Sequence, residues 1–147
     1  MACAQDVEKI RRDHQHMLEL ISRIQAECTQ REKVNNCNAC DTSLRQLCHG
    51  NIEALIKNFV DVTLKHNLIE SIYMMEEGVP PEHRIAHNRA HMEISLQLKE
   101  IRVVFTRDGN CILAIEGVDQ ALASLLRHFK DFDEQLENYL LASELTP

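Results

Sequence analysis

The 147-residue sequence is poor in residues that interrupt helices, with four glycines and three prolines. It has no tryptophan, and aromatic residues make up only 4% of the chain. Its larger residues are mainly Leu, Ile, Glu and Gln, most of which favour helices. We therefore predict an all-α protein. A single domain over residues 1–147 is expected, since a chain of this length can bury a core without stabilising cross-links.

Two further absences exclude classes of function. No apolar run approaches the ~20 residues that a membrane-spanning helix needs, and residues 1–6 lack the basic and apolar segments of a signal peptide. The net charge of −7 gives no basic patch to meet phosphates. We expect a cytoplasmic protein with no nucleic-acid partner and no membrane association.

Apolar residues recur at intervals of three and four along four stretches, which is the spacing of a helix face. The predicted helices cover residues 5–30, 41 or 42 to 77, 81–106 and 112–143, with approximate ends. Gly50 marks a candidate break or bend in the second helix, and Gly117 marks a candidate break in the fourth. Four long amphipathic helices with mostly short connections predict an antiparallel up-down four-helix bundle.

Every predicted helix carries imidazole or carboxylate groups on or beside its apolar face. His87 and His91 stand one turn apart on the third helix, ~6 Å along its axis, which suits two imidazoles that bind one metal ion. The candidate metal ligands on the four helices are His14, His66, Glu70, His87, His91, His128 and Asp133.

Buried polar groups need partners, so seven of them on core stripes indicate a common one. Five imidazoles and two carboxylates exceed the four ligands of a single zinc ion. They suit two ions of borderline hardness bridged by the carboxylates, and nitrogen-plus-oxygen donors of this kind favour iron.

The same residues, in this order, resemble the motifs of the hemerythrin-like family, close to its single-domain bacterial members. His66-Asn-Leu-Ile-Glu70 matches the family's HxxxE, and His87-Asn-Arg-Ala-His91 matches its HxxxH. His128-Phe-Lys-Asp-Phe-Asp133 matches its HxxxxD, and Ile10-Arg-Arg-Asp-His14 resembles its first-helix histidine motif. The resemblance covers nearly the whole chain.

This resemblance implies a non-haem centre of two iron ions (Fe2+/Fe3+) joined by an oxo or hydroxo bridge. His87, His91 and His128 would bind one iron, His14 and His66 the other, and Glu70 and Asp133 would bridge. Dioxygen would bind at the open position of the two-histidine iron, beside an apolar lining of Leu18, Ile21, Ile69, Leu125 and Phe129. The implied function is reversible oxygen binding for storage, delivery or sensing, rather than catalysis. A sensing role would require a separate protein partner.

Two alternatives stay open at this level. Bacterial relatives often carry a DxQH run, and Asp13-His14-Gln15-His16 would then make His16 the ligand. The stripe favours His14, because Met17, Ile21 and Ile24 follow it at core spacing.

The six cysteines support a second function, a di-iron protein that responds to redox, nitric oxide or iron stress. Cys37-Asn-Ala-Cys40 is a CxxC in the longest connection, and its functional interpretation is a redox switch or an extra metal site. Cys28 is interpreted as a small core residue. His49 and His83 lie off the stripes and are expected to be solvated.

Overall fold

The computed structural model describes residues 4–28, 37 and 40–145, and these residues fold as an all-α, four-helix bundle. The helices are α1 (Ala4–Glu27), α2 (Thr42–Glu76), α3 (Pro81–Asp108), α4 (Cys111–His128), a π-helical segment (Phe129–Asp133) and α5 (Glu134–Leu145). Backbone torsion angles stay right-handed helical at both ends of the π-helical segment, so α4, the segment and α5 form one long fourth helix. The predicted fold class is confirmed, and the antiparallel order of the helices stays a prediction.

Helix ends follow the local sequence. Asp41 caps α2 by accepting the backbone N–H groups of Ser43 and Leu44 at 3.0 and 3.2 Å. Asn110 caps the first turn of α4 in the same way, at 3.1 and 3.3 Å. Gly109 closes α3 with φ of 62°, a left-handed conformation that favours glycine. These residues therefore set where α2 and α4 begin and where α3 ends.

The predicted breaks at Gly50 and Gly117 are wrong, because α2 and α4 run through them without interruption. Gly117 has a packing reason instead, since a Cβ atom there would lie 2.9 Å from Cγ1 of Ile101. Because glycine carries only a hydrogen atom in place of a side chain, α3 and α4 can approach closely at this position. The first helix ends at Glu27, three residues before its predicted end, and residues 29 and 30 lie outside the described residues. Most of the predicted connection, residues 31–43, also lies outside them, since only residues 37 and 40–43 are described.

Buried apolar residues form two separate clusters. The larger cluster includes Met17, Ile21, Phe59, Ile94 and Leu125. The smaller cluster consists of Val7, Ile10, Met74, Val79, Leu136 and Leu140. On α1, α2 and the fourth helix, the predicted ligands lie in sequence between members of the two clusters. The predicted ligands therefore form a polar layer that lies between the two apolar clusters.

Within the described ranges, no helix is both long and apolar enough to cross a membrane.

Candidate metal centre

The seven side chains predicted as ligands meet in the polar layer as two overlapping groups. In each group, every residue offers one ligand atom, and these atoms lie within 4.8 Å of one another. The three-histidine group contains His87, His91 and His128 with Glu70 and Asp133, and the two-histidine group contains His14 and His66 with the same two carboxylates. Both carboxylates are fully buried. This arrangement can hold metal ions, and two ions side by side would share Glu70 and Asp133.

Asp133 faces both groups with different oxygen atoms. Its Oδ1 lies 2.8 Å from Nε2 of His87 and 2.9 Å from Nε2 of His128. Its Oδ2 lies 2.8 Å from Nε2 of His14, in the other group. A carboxylate with one oxygen on each side has the geometry of a bridging ligand.

Glu70 also contacts both groups. Its Oε1 lies 3.1 Å from Nε2 of His91 and 3.3 Å from Nε2 of His66. His91 belongs to the three-histidine group and His66 to the two-histidine group, so Glu70 stands at their boundary as Asp133 does.

Most of these close contacts lack the alignment of hydrogen bonds. The Nε2 atoms of His14, His66, His87 and His128 are buried without a hydrogen-bond partner, as are both carboxylate oxygens of Asp133 and Oε2 of Glu70. Such groups cost free energy unless they are satisfied. A cation satisfies imidazole nitrogens and carboxylate oxygens together, so the residues present fit a metal centre.

The π-helical segment accounts for the unusual spacing between His128 and Asp133. The backbone N–H of Glu134 donates to the carbonyl of Phe129, five residues back, so the turn is wider than an α-helical turn. Five residues then bring Asp133 above His128, and both side chains enter the cluster. The sequence predicted a plain helix here, although the five-residue spacing of HxxxxD was the available signal.

Residues outside the ligand set orient two of the histidines in the two-histidine group. Nδ1 of His66 lies 2.9 Å from Oδ2 of Asp13, which leaves Nε2 directed at the cluster. The ring of His14 stacks on Phe129, with centroids 3.7 Å apart and an interplanar angle of 15°. Sequence reasoning identified Asp13 only as part of the DxQH run and missed this contact.

The cluster shifts the pKa values of its own members in opposite directions. Burial lowers the pKa of His66, but the hydrogen bond with Asp13 and the close carboxylates of Asp133 and Glu70 outweigh burial and raise it to about 11. Burial raises the pKa of Glu70 and Asp133, but the imidazoles in close contact with them hold both well below the usual range. Burial also lowers the pKa of His91. The metal-free cluster therefore keeps ionised carboxylates and a protonated His66. Metal binding must displace that proton.

The structure places His14 in the cluster, whereas His16 is exposed on α1. His14→Ala is expected to remove the ion of the two-histidine group, because Nε2 of His14 is one of only two imidazole donors there. His16→Ala is expected to leave the metal content unchanged, and it serves as the matched control. Metal analysis of both purified variants checks the prediction, and the reverse pattern would show that the stripe argument fails in this helix.

The five cysteines within the described ranges are free thiols, and none of them belongs to either group. Cys37 pairs with α4 rather than with its CxxC neighbour, because its Sγ accepts the backbone N–H of Cys111 at 2.9 Å and its thiol donates to Asn110 Oδ1 at 3.4 Å. Burial raises the pKa of the Cys48 thiol to about 11 and also raises that of Cys111. A redox switch at Cys37 and Cys40 stays a prediction.

Two histidines expected to be solvated have other positions. His83 is buried, with 7% of its surface exposed, and its Nε2 lies 2.9 Å from Nδ1 of His87, so the prediction is wrong there. His49 is half-buried and stacks on Phe105 with centroids 4.5 Å apart. His83 stands four residues before His87, and this spacing was a signal that sequence reasoning passed over.

The predicted apolar lining is only partly buried. Ile21 and Leu125 are buried, whereas Leu18, Ile69 and Phe129 are half-buried.

Together, fold and site define a four-helix protein with a buried cluster of histidine, glutamate and aspartate that can hold metal ions. Comparisons with models of protein families, with curated proteins and with solved structures found no match.

Proposed function

We propose that the chain is a hemerythrin-like protein that binds two iron ions and, through them, binds dioxygen reversibly. The observation that carries this proposal is that Glu70 and Asp133 are shared between a group of three imidazoles and a group of two. Nitrogen and carboxylate oxygen are donors that suit iron, and four-helix bundles hold di-iron sites in their cores. The resemblance of the four motifs supports iron over other ions of similar hardness.

The residues have distinct roles in this proposal. His87, His91 and His128 hold one ion, His14 and His66 hold the other, and the two carboxylates bridge. The first ion would then have five protein ligands and the second four, so the second ion has the more open coordination for an exogenous ligand. Two iron ions held in this way supply the two electrons that reversible dioxygen binding requires.

Apolar side chains exclude water from the cluster on the side of the larger apolar cluster. Met17 and Leu125 are buried one helical turn from His14 and His128, respectively. Phe129 covers one face of the His14 ring. A dry surrounding keeps solvent protons away from a ligand bound at the two-histidine ion, which favours release of the ligand unchanged.

The donor set favours binding over catalysis, because five imidazoles accompany only two carboxylates. Catalytic di-iron bundles use more carboxylates, which stabilise higher oxidation states. The alternative, redox or nitric-oxide chemistry that uses the cysteines, receives less support. The raised pKa values of Cys48 and Cys111 reduce the fraction of reactive thiolate near the buried Cys37.

The test is reconstitution of the purified protein with Fe2+ without oxygen, followed by metal analysis and visible spectroscopy in air. We expect ~2 iron atoms per chain and an absorption band that appears in air and disappears under vacuum. His14→Ala is the matched variant, expected to keep one iron and to lose the band. One zinc atom without iron would contradict the di-iron proposal, and irreversible oxidation of the iron would support the redox alternative.

A further inference from the structure

We infer that His83 is a positioning residue of the metal centre, which holds His87 in the tautomer that binds metal through Nε2. The inference rests on the proposed function, since it assigns a role toward the same ions. Two observations carry it: the direct contact between the two rings, and the burial of His83 among aromatic side chains.

The rings of His83 and His87 are in direct contact, and aromatic side chains surround His83. Nε2 of His83 lies 2.9 Å from Nδ1 of His87, and the two rings are nearly perpendicular, at 87° with centroids 5.0 Å apart. Tyr139 and Phe132 pack around the His83 ring with centroids 5.3 and 6.3 Å away. These aromatic rings restrict rotation of His83, so the acceptor nitrogen stays aimed at His87.

The hydrogen bonds around His83 fix which nitrogen carries each proton. Nε2 of His87 faces Asp133 and Glu70 in the cluster, so it must be unprotonated to bind a metal ion. The proton of His87 is then on Nδ1, which donates to Nε2 of His83. A neutral His83 that accepts at Nε2 carries its own proton on Nδ1. In this tautomer, the Nδ1–H of His87 points away from the cluster and toward His83.

The two groups are supported in chemically different ways. Asp13, a carboxylate, accepts from His66 in the two-histidine group. In the inferred tautomer, His83 is a neutral ring that accepts from His87 in the three-histidine group. A carboxylate makes the histidine that it supports a stronger donor than a neutral acceptor does. The three-histidine group thus has the weaker support, and the two-histidine group has the stronger one.

The test compares His83→Phe, which removes the acceptor, with His83→Gln, which can offer an amide oxygen to the same Nδ1–H. His49→Phe is the control, because His49 also stacks on an aromatic ring but lies outside both groups. Metal-free full-length proteins are titrated with Co2+ and followed by visible absorption. Helix content and melting temperature are measured in parallel by circular dichroism.

We expect His83→Phe to weaken one of two Co2+ binding events by roughly 10–100-fold, the range for loss of a residue that supports a ligand. His83→Gln should restore that affinity to within a few-fold of wild type, and His49→Phe should match wild type. Two Co2+ ions bound equally by wild type and His83→Phe would overturn this inference alone. So would an equal loss in both His83 variants that follows their melting temperatures, since that pattern marks a merely structural residue.

The outcome for the wild-type protein separates this inference from the proposed function. A single Co2+ site, weakened by His83→Phe and restored by His83→Gln, would support His83 and overturn the two-ion centre. A wild-type protein that binds no Co2+ would overturn both.

Discussion

Asp133→Asn is expected to abolish tight binding of both metal ions while the four helices stay folded. Asp133 is the residue whose two oxygens divide between the groups, with His87 and His128 on one side and His14 on the other. The amide has nearly the same shape but lacks the negative charge, and its NH2 group cannot ligate. One ion therefore loses its Asp133 ligand atom, the other keeps only a neutral amide oxygen there, and both lose half of the negative charge that the shared carboxylates provide.

Asp131→Asn is the matched control, because Asp131 lies in the same π-helical segment but is exposed. Iron content after anaerobic loading, together with helix content from circular dichroism, checks the prediction. We expect ~2 iron atoms in the control and wild type, and close to none in Asp133→Asn. Two retained irons in Asp133→Asn would show that Asp133 is not a bridging ligand.

Sequence reasoning succeeded where the site residues occupy core positions of their helices. His14, His66, His87 and His91 continue apolar stripes, so the intervals that predicted the helices also located these side chains. Glu70 follows His66 by one helical turn, so the position of His66 also predicted that of Glu70. Each helix carries its site residues on one face, and the spacing of residues along the sequence is enough to predict that face.

Contacts between distant parts of the chain could not be predicted from such local intervals. Asp13 meets His66 across 53 positions, and Cys111 meets Cys37 across 74. The CxxC motif directed attention to Cys40, a neighbour in sequence, whereas the bundle brings a distant backbone N–H to the sulfur. The π-helical segment was missed because a plain α-helix was assumed between His128 and Asp133, and only hydrogen bonding in the folded chain distinguishes the two.

The position of the site between two apolar clusters ties metal binding to folding. Burying two carboxylates and five imidazoles in this layer is costly without cations, and protonated imidazoles compensate only in part. The apolar clusters on both sides bury enough surface to keep the helices associated. We therefore expect a metal-free protein that is folded but less stable.

Removal of the ions with a chelator is expected to lower the melting temperature clearly. Ions that bind only the folded state stabilise it by ~4 kcal/mol at a thousandfold excess over the dissociation constant. A change of ~1 kcal/mol shifts the melting temperature by about 2–4 °C in a protein of this size, so a loss of about 10 °C is expected. Circular dichroism melting of loaded and metal-free protein at one pH measures it, and helix content at low temperature should be largely retained.

The difference in melting temperature should widen as the pH rises from about 6 to about 8. The pKa of His66 is raised to about 11 in the folded metal-free protein, so its stabilising proton is fully effective below the unfolded value of ~6.5 and its contribution falls as pH rises toward 11. Metal competes with the same proton, so its affinity increases over that range. Glu70 and Asp133, with lowered pKa values, stay ionised and lose their contribution only in acid. Equal midpoints for the two forms at both pH values would mean that the bundle is stable without its ions and that folding and metal binding are independent.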